Sequence, residues 1–340
     1  MRKMKETLKK IVPESMIAWI RGVQASVKLR RETIRQMKRF ERNYAKRGSM
    51  RKEHLETRII FFTHQIEKGL SHQDFRFGFG KGVLAEFAPL LVALRKVDAQ
   101  YKSNGIFQSA TCALHEYRAR HERAGYDLDY MRRLFPDDLW EEIGQAQGHA
   151  GGVLIIKAAD KTHNAELTYE QLSEARHSVR EFSNEPVSAE DIEQAVAIAM
   201  RTPSVCNRQP TRIHIITNAD LIAKLMPLQG GFRGYKMPPA LILLTADNQA
   251  FMNQDERNEG YTDGGLFGMS LLLALEEQQL AACPLNTMLP MKRDDATRNL
   301  LNLPDSEFLV MYIAVGHFLP EVKTCMSKRF DPENIVTVHA

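Results

Sequence analysis

Long apolar runs are missing from this chain of 340 residues. Runs such as Ala240 to Leu244 and Leu271 to Leu275 fall far short of the roughly 18 to 20 residues that span a bilayer, so no segment is expected to cross a membrane. Cysteine is scarce as well. Cys112, Cys206, Cys283 and Cys325 stand far apart, with no C-x-x-C pair and no Cys/His spacing suited to zinc, which argues against both a disulfide framework and a structural metal. The N-terminus is basic but lacks an apolar core and a small-residue cleavage site, so no secretory leader is expected and the cytoplasm is the default location. The 14 Pro and 20 Gly are scattered, without a repeat at solenoid periods, which excludes collagen-like and low-complexity chains. At 44% hydrophobic and 26% charged residues, the composition is that of an ordinary globular protein with one large or two ordinary domains.

Charge is unevenly spread. The net charge is +4, yet residues 1–53 hold 17 Lys/Arg against 5 Asp/Glu, a balance of +12, and the remainder carries −8. Two helical stretches broken near Pro13 are expected in this arm, with Met16, Ile20, Val23 and Val27 on one face at helical spacing and Ile17 and Trp19 widening it. A basic amphipathic helix either packs its stripe on its own protein or a partner subunit, or lies on an anionic membrane surface. Nucleic acid is not expected as a partner, because no aromatic-interleaved basic motif accompanies the charge.

Residues 54–165 read as a mainly helical domain, with turns around Ser103 to Gly105 and a punctuating segment Gly148 to Gly152. Inside it, Phe75 to Gly82 has the look of a phosphate loop. The resemblance fails on spacing: Phe75 stands where a Walker A needs glycine, Gly82 follows Lys81 in place of Ser/Thr, and Val83 replaces the third glycine of a dinucleotide fingerprint. An ordinary turn or a substrate-facing loop remains. His64 and Glu67 do not make H-E-x-x-H, so a zinc protease is excluded.

From about residue 168 helices and strands alternate. Ser188 and Asp191 signal a capping box before a helix that ends near Pro203; Ile213 to Thr217, Ala240 to Thr245 and Phe308 to Val315 read as strands; a longer helix is expected over 263–279. Strand 240–245 is apolar on both faces, hence central. Three clusters stand out. Arg176 to Phe182 places two guanidiniums and a hydroxyl within five residues, a set suited to a phosphate monoester. Thr202 to Pro210 is a loop dense in small polar groups, and Lys328-Arg329 precedes Asp331-Pro332 and the apolar Ile335 near the end.

These clusters resemble the FMN-dependent nitroreductase family over about residues 168–340. Its R-x-S-x-R-x-F motif is matched by Arg176 to Phe182, and P-S-x-x-N-x-Q-P by Pro203, Ser204, Asn207, Gln209 and Pro210. A helix opening on an acidic residue, here Asp263, leads to a short loop at Ala281-Ala282-Cys283, and a basic residue precedes an apolar one by six positions at Arg329 and Ile335. Pro284-Leu285-Asn286 is similar to the iodotyrosine-dehalogenase-like branch. Two departures are visible: Thr211 stands where a Trp often follows the proline, and the loop offers methyls and a thiol where that branch has threonine hydroxyls.

The resemblance implies an α+β fold, a mostly antiparallel sheet flanked by helices, preceded here by a mainly helical extension. It implies that Arg176, His177, Ser178, Arg180 and Arg329 hold the FMN phosphate and ribityl chain, that Pro203, Ser204, Val205, Cys206 and Asn207 lie along the isoalloxazine, and that Ala281, Ala282 and Cys283 lie near N5. It further implies ping-pong hydride transfer from NAD(P)H through the flavin to a small organic acceptor, and a homodimer with FMN at the subunit interface. Gln209, Tyr235, Lys236 and Tyr261 are candidate acceptor contacts, no side chain is assigned as catalytic acid, and Gly230 to Gly234 is a cover or a turn. The alternative is an FMN-binding or degenerate protein with a scaffolding or membrane-surface role.

Overall fold

The computed structural model describes residues 13–148 and 150–339. The first of the two helical stretches expected in the basic arm therefore lies outside the described residues. The second is α1 (Glu14–Asn43), which starts directly after Pro13 and buries none of its side chains.

Helices α2 (Lys52–Ser71), α3 (Lys81–Val97) and α4 (Gly105–Arg123), with the short α5 (Asp129–Arg132) and α6 (Asp137–Gln145), close on a core of their own. Leu55, Ile59, Ile66, Leu84, Leu91 and Leu114 are fully enclosed there. Asn104 starts α4 by accepting from the Ile106 and Phe107 amides, while its own amide group donates to Glu56 and Asp98. The Phe75 to Gly82 stretch is a turn that runs into the first residues of α3, with Phe75 and Phe79 packed on this core. Phe79 lies against Gly69, where a Cβ would come within 1.8 Å of the ring, and the Phe79 carbonyl accepts from the Tyr117 hydroxyl at 2.8 Å.

The helical region also contributes β1 (Val153–Lys157), which pairs antiparallel with residues 321–325 near the end of the chain. Neither strand of this ribbon was expected from the sequence. Each is only five residues long, and the partners are far apart in the chain.

After α7 (Tyr169–Ala175) and α8 (Ala189–Ala199) come β2 (Thr211–Ile216), α9 (Ala219–Gln229), β3 (Ala240–Asp247), α10 (Glu259–Glu277), β4 (Leu280–Asn286), α11 (Met291–Leu301), β5 (Glu307–His317) and β6 (Glu321–Cys325). The main sheet runs β2-β3-β5-β4, with every pair antiparallel. This is the expected α+β arrangement. The Ser188–Asp191 capping box closes in both directions. Along β3, Ala240, Ile242, Leu244 and Ala246 face α8 and α10, while Leu241 and Leu243 face α9, so both faces are covered as a central strand requires. Two expectations need correction. The long helix begins at Glu259, ahead of Asp263, and residues 281–283 form the middle of β4 instead of a loop. Pairing of the full length of β4 with residues 311–317 of β5 supplies the ladder hydrogen bonds that override the local loop reading.

Candidate functional site

The segment after α7 is laid along the outer edge of β4. Ser178 bridges Ala282 in parallel, the Val179 amide donates to the Ala282 carbonyl at 3.1 Å, and the Ser183 amide donates to His317 at 3.0 Å. Val179 is fully enclosed with Ile156, Ala281 and Val322. Phe182 reaches β5 at Gly316, where a Cβ would meet its side chain at 2.5 Å. These two apolar anchors set the positions of the polar residues between and before them.

Arg176 is the residue left unsatisfied by this arrangement. Its Nε and Nη1 are buried and have no hydrogen-bond partner, a state that costs more for a charged group than for a neutral one. Beside it, the His177 Nδ1–H donates to the Ala175 carbonyl at 2.9 Å, and burial together with Lys161, Arg176 and Arg329 holds the imidazole pKa below its ordinary value. Lys161 donates to the Ala175 carbonyl and pairs with Glu276 at 2.5 Å, both side chains being almost wholly buried. Burial still raises the Glu276 pKa. The result is a corner rich in cations and NH donors, with Arg329 exposed at its rim. Sequence reading missed Lys161 and Glu276, since no local pattern links positions 115 apart.

Arg180 points elsewhere. Its guanidinium lies against α2, donating to His64 Nε2 at 3.4 Å and to the Cys325 sulfur at 3.6 Å. His64, Glu67 and Cys325 bring one ligand atom each within 4.8 Å of one another, but a cation there would face Arg180 and, through its electrostatic effect on the same groups, Lys68. Both Glu67 oxygens already accept amides, from Gly152 and Ser327. Burial raises the Glu67 carboxyl to about 7 and the Cys325 thiol to about 12, and lowers the His64 imidazole to about 4.

The loop 203–209 is held differently. Val205 donates its amide to both oxygens of buried Asp263, and Ser204 Oγ accepts the Gln209 amide at 3.0 Å. Arg208 forks onto Glu256 at 3.0 and 2.9 Å and pulls that carboxyl down to about 2. Cys206, Asn207 and Gln209 all take left-handed backbone angles, with φ of 47°, 55° and 50°, which non-glycine residues adopt only when their surroundings impose it. Pro203, Cys206, Asn207 and Gln209 are exposed.

This loop and the Arg176 corner are not neighbours within one chain. The loop leads into Thr211 of β2, at one edge of the sheet, while Ser178 sits on β4 at the other edge. Three strand spacings amount to about 14 Å. Ala282 is level with Val315, whereas Thr211 is level, through Ala246, with Phe308, roughly 20 Å further along the strands. The two polar groups occupy diagonal corners of the sheet.

Other candidates shift on inspection. Ala281, Ala282 and Cys283 are buried in β4, and the Cys283 thiol is enclosed. Tyr235 is buried too, stacked on His72 at 3.9 Å and bonded to the Ser71 hydroxyl and the Lys68 carbonyl, so it is not open to an acceptor. Lys236 is exposed, and Tyr261 leans on Phe308 at 4.7 Å with its other side open. None of these lines the cavity of about 800 Å³ between α2, the start of α4 and residues 327–335. That cavity is walled by His64, Thr63, Asn104 and Arg329, and the Thr63 hydroxyl on its wall is buried without a partner.

The model of the nitroreductase family matches residues 174–232 and 230–317. A nitroreductase family protein from Streptococcus pneumoniae is 19% identical, with 51% of this chain and 100% of that chain covered at a TM-score of 0.44. One from Clostridium difficile 630 is 21% identical, with 51% and 99% covered at 0.43. An FMN-dependent nitroreductase from Clostridium difficile R20291 is 18% identical, with 43% and 85% covered at 0.38. No curated protein matches the sequence.

Proposed function

We propose that the protein, whose residues 174–317 match the model of the nitroreductase family, is an FMN-dependent oxidoreductase taking hydride from NAD(P)H and reducing a small organic acceptor by ping-pong turnover. The observation that carries this reading is the buried, unpartnered guanidinium edge of Arg176. A phosphate monoester offers the planar pair of anionic oxygens that such a fork accepts. The donor set therefore fits the phosphate end of FMN, with Arg329 and the Ser178 hydroxyl as further partners. Bound there, FMN would supply the hydride-transfer chemistry.

The chain's own contribution is binding and orientation. Arg176 and Arg329 neutralise the phosphate. His177, its Nδ1–H committed to Ala175, presents Nε2 to the same corner. Because Ser204 to Asn207 lie at the far corner of the sheet, we assign them to the flavin held by a second copy, so that the working unit is a homodimer with two composite sites. The strained left-handed turn at Cys206 and Asn207 then serves to present backbone and side-chain groups outward. The cavity beside Arg329, walled by the helical extension, is the best candidate for acceptor choice.

A non-catalytic flavoprotein is the second reading, favoured by one observation: β4 keeps the 281–283 side chains enclosed, leaving only backbone near N5. The protein purified without added flavin and then saturated with FMN separates the readings. A bound flavin spectrum, stoichiometric FMN on denaturation and bleaching by NAD(P)H under anaerobic conditions are expected. FMN that binds but resists reduction would establish the second reading, and refusal of FMN would overturn both.

A further inference from the structure

Helix α1 meets the rest of the protein through its polar side. Lys28 Nζ pairs with Asp255 at 2.7 Å, Arg257 donates to Gln36 Oε1 at 3.1 Å, and Ala25 and Glu32 are half-buried between them. At 100° per residue, these four positions share one side. Met16, Trp19, Ile20, Val23, Val27, Ile34 and Met37 fall on the opposite side and are all exposed, Trp19 at 69% and Val27 at 59%. The apolar stripe thus faces away from its own protein. Along one margin of the stripe runs a row of cations, Arg31, Arg35, Lys38 and Arg42.

We propose that this face of α1 is a docking surface for an anionic lipid bilayer, on which the helix lies flat. Its 30 residues extend about 45 Å, and among the described residues no helix is long and apolar enough to cross a membrane. Aliphatic and indole side chains enter the headgroup boundary while the flanking cations meet lipid phosphates. Charge decides against a second copy as the occupant. The helix carries only Glu14, Glu32 and Glu41 as acids; the first two lie on the body side, so an antiparallel pair of stripes would set the cationic margin against itself with no row of carboxylates to meet it.

The test uses the full chain with vesicles of phosphatidylcholine alone or mixed with phosphatidylglycerol. Trp19 and Trp140 are the two tryptophans, so a Trp140→Phe background makes Trp19 the reporter. Sedimentation with the anionic vesicles only, a blue shift of Trp19 emission, and a loss of binding of about tenfold or more in 1 M salt, where the screening length is about 3 Å, are expected. Trp19→Glu with Val23→Glu, and separately Arg31→Glu with Lys38→Glu, should each weaken vesicle binding by about tenfold or more with unchanged far-ultraviolet dichroism and FMN content. Wild-type protein that ignores anionic vesicles, or variants that bind them as wild type does, would overturn the proposal. So would a Trp19→Glu, Val23→Glu variant that loses a self-associated species in ultracentrifugation while vesicle binding is untouched, which would give the stripe to a second copy.

Discussion

At the scale of single residues, the polar groups that matter here are those whose environment is unfinished. Arg176 holds a buried charge with two idle donors. Arg176→Ala should weaken FMN retention by roughly 10- to 100-fold, from the loss of a charge-assisted hydrogen bond of about 1.5 to 3 kcal/mol, read by titration of the apoprotein. The fold should persist, because removing the guanidinium also removes its burial cost. Glu67 makes a different prediction. Burial places its carboxyl at about 7 against an ordinary 4.5, so in the folded protein the proton is held more tightly than in the unfolded chain. Its contribution is therefore fully present below about pH 4.5 and is lost as the pH rises through about 7, a change of up to roughly 3 kcal/mol. His64, depressed to about 4, works in the opposite sense, since stability is lost as pH falls from 6.5 towards 4. Its ring is 36% exposed, so solvent screening makes that contribution the smaller one. Denaturant midpoints between pH 4.5 and 7.5 should accordingly fall less with rising pH in Glu67→Gln than in wild type, and more in His64→Gln. Parallel slopes in all three proteins would contradict the assignment.

At the scale of elements, the segment Arg176 to Phe182 is a packing device. Phe182 occupies the space over Gly316 of β5, and Val179 closes the small cluster with Ile156 and Val322, so the polar residues are positioned by two apolar plugs. Gly316→Ala should cost roughly 1 to 3 kcal/mol by overpacking and, by lifting the segment off β4, should also reduce FMN retention. A variant that loses stability while keeping full FMN affinity would show that the segment and the site are uncoupled. The 203–209 loop is held by hydrogen bonds instead. Ser204→Ala removes the acceptor of the Gln209 amide, and a loss of roughly 0.5 to 1.5 kcal/mol is expected, measured as a lower melting temperature with FMN affinity changed less than in Arg176→Ala.

At the scale of the whole molecule, the diagonal separation of the Arg176 corner and the 203–209 loop requires a second copy if both are to touch one flavin. Mixed dimers provide the check. A chain carrying Arg176→Ala combined with a chain carrying Asn207→Ala should regain one intact site per mixed dimer, although each variant alone is impaired in both. Absence of recovery after subunit exchange would place both groups in a single-chain site and contradict the composite arrangement. The helical extension adds a further layer: α2 packs on Arg180 and walls the cavity beside Arg329, so truncation at residue 53 and truncation at residue 165 should differ. The first should leave FMN binding intact, and the second should expose Arg180 and the β6 ribbon and lower solubility.

Much of this was written locally. The Ser188–Asp191 box, the doubly apolar β3 and the order of the motifs from Arg176 to Arg329 depend on side chains close together in the chain, where periodicity and capping chemistry act directly. The sequence by itself therefore determined the α+β class, the helical extension and which residue types could hold a phosphate. It did not determine which of those residues meet. The β1–β6 ribbon, the Lys161–Glu276 pair, the burial of Tyr235 on His72 and the turning of Arg180 towards His64 all join positions 115 or more residues apart. The 281–283 segment became a strand because β5 offered it a full ladder, and the outward stripe of α1 became visible only once Lys28 and Gln36 fixed which side faced in. Long-range pairing and burial are properties of the closed fold, and the tertiary structure alone decided them.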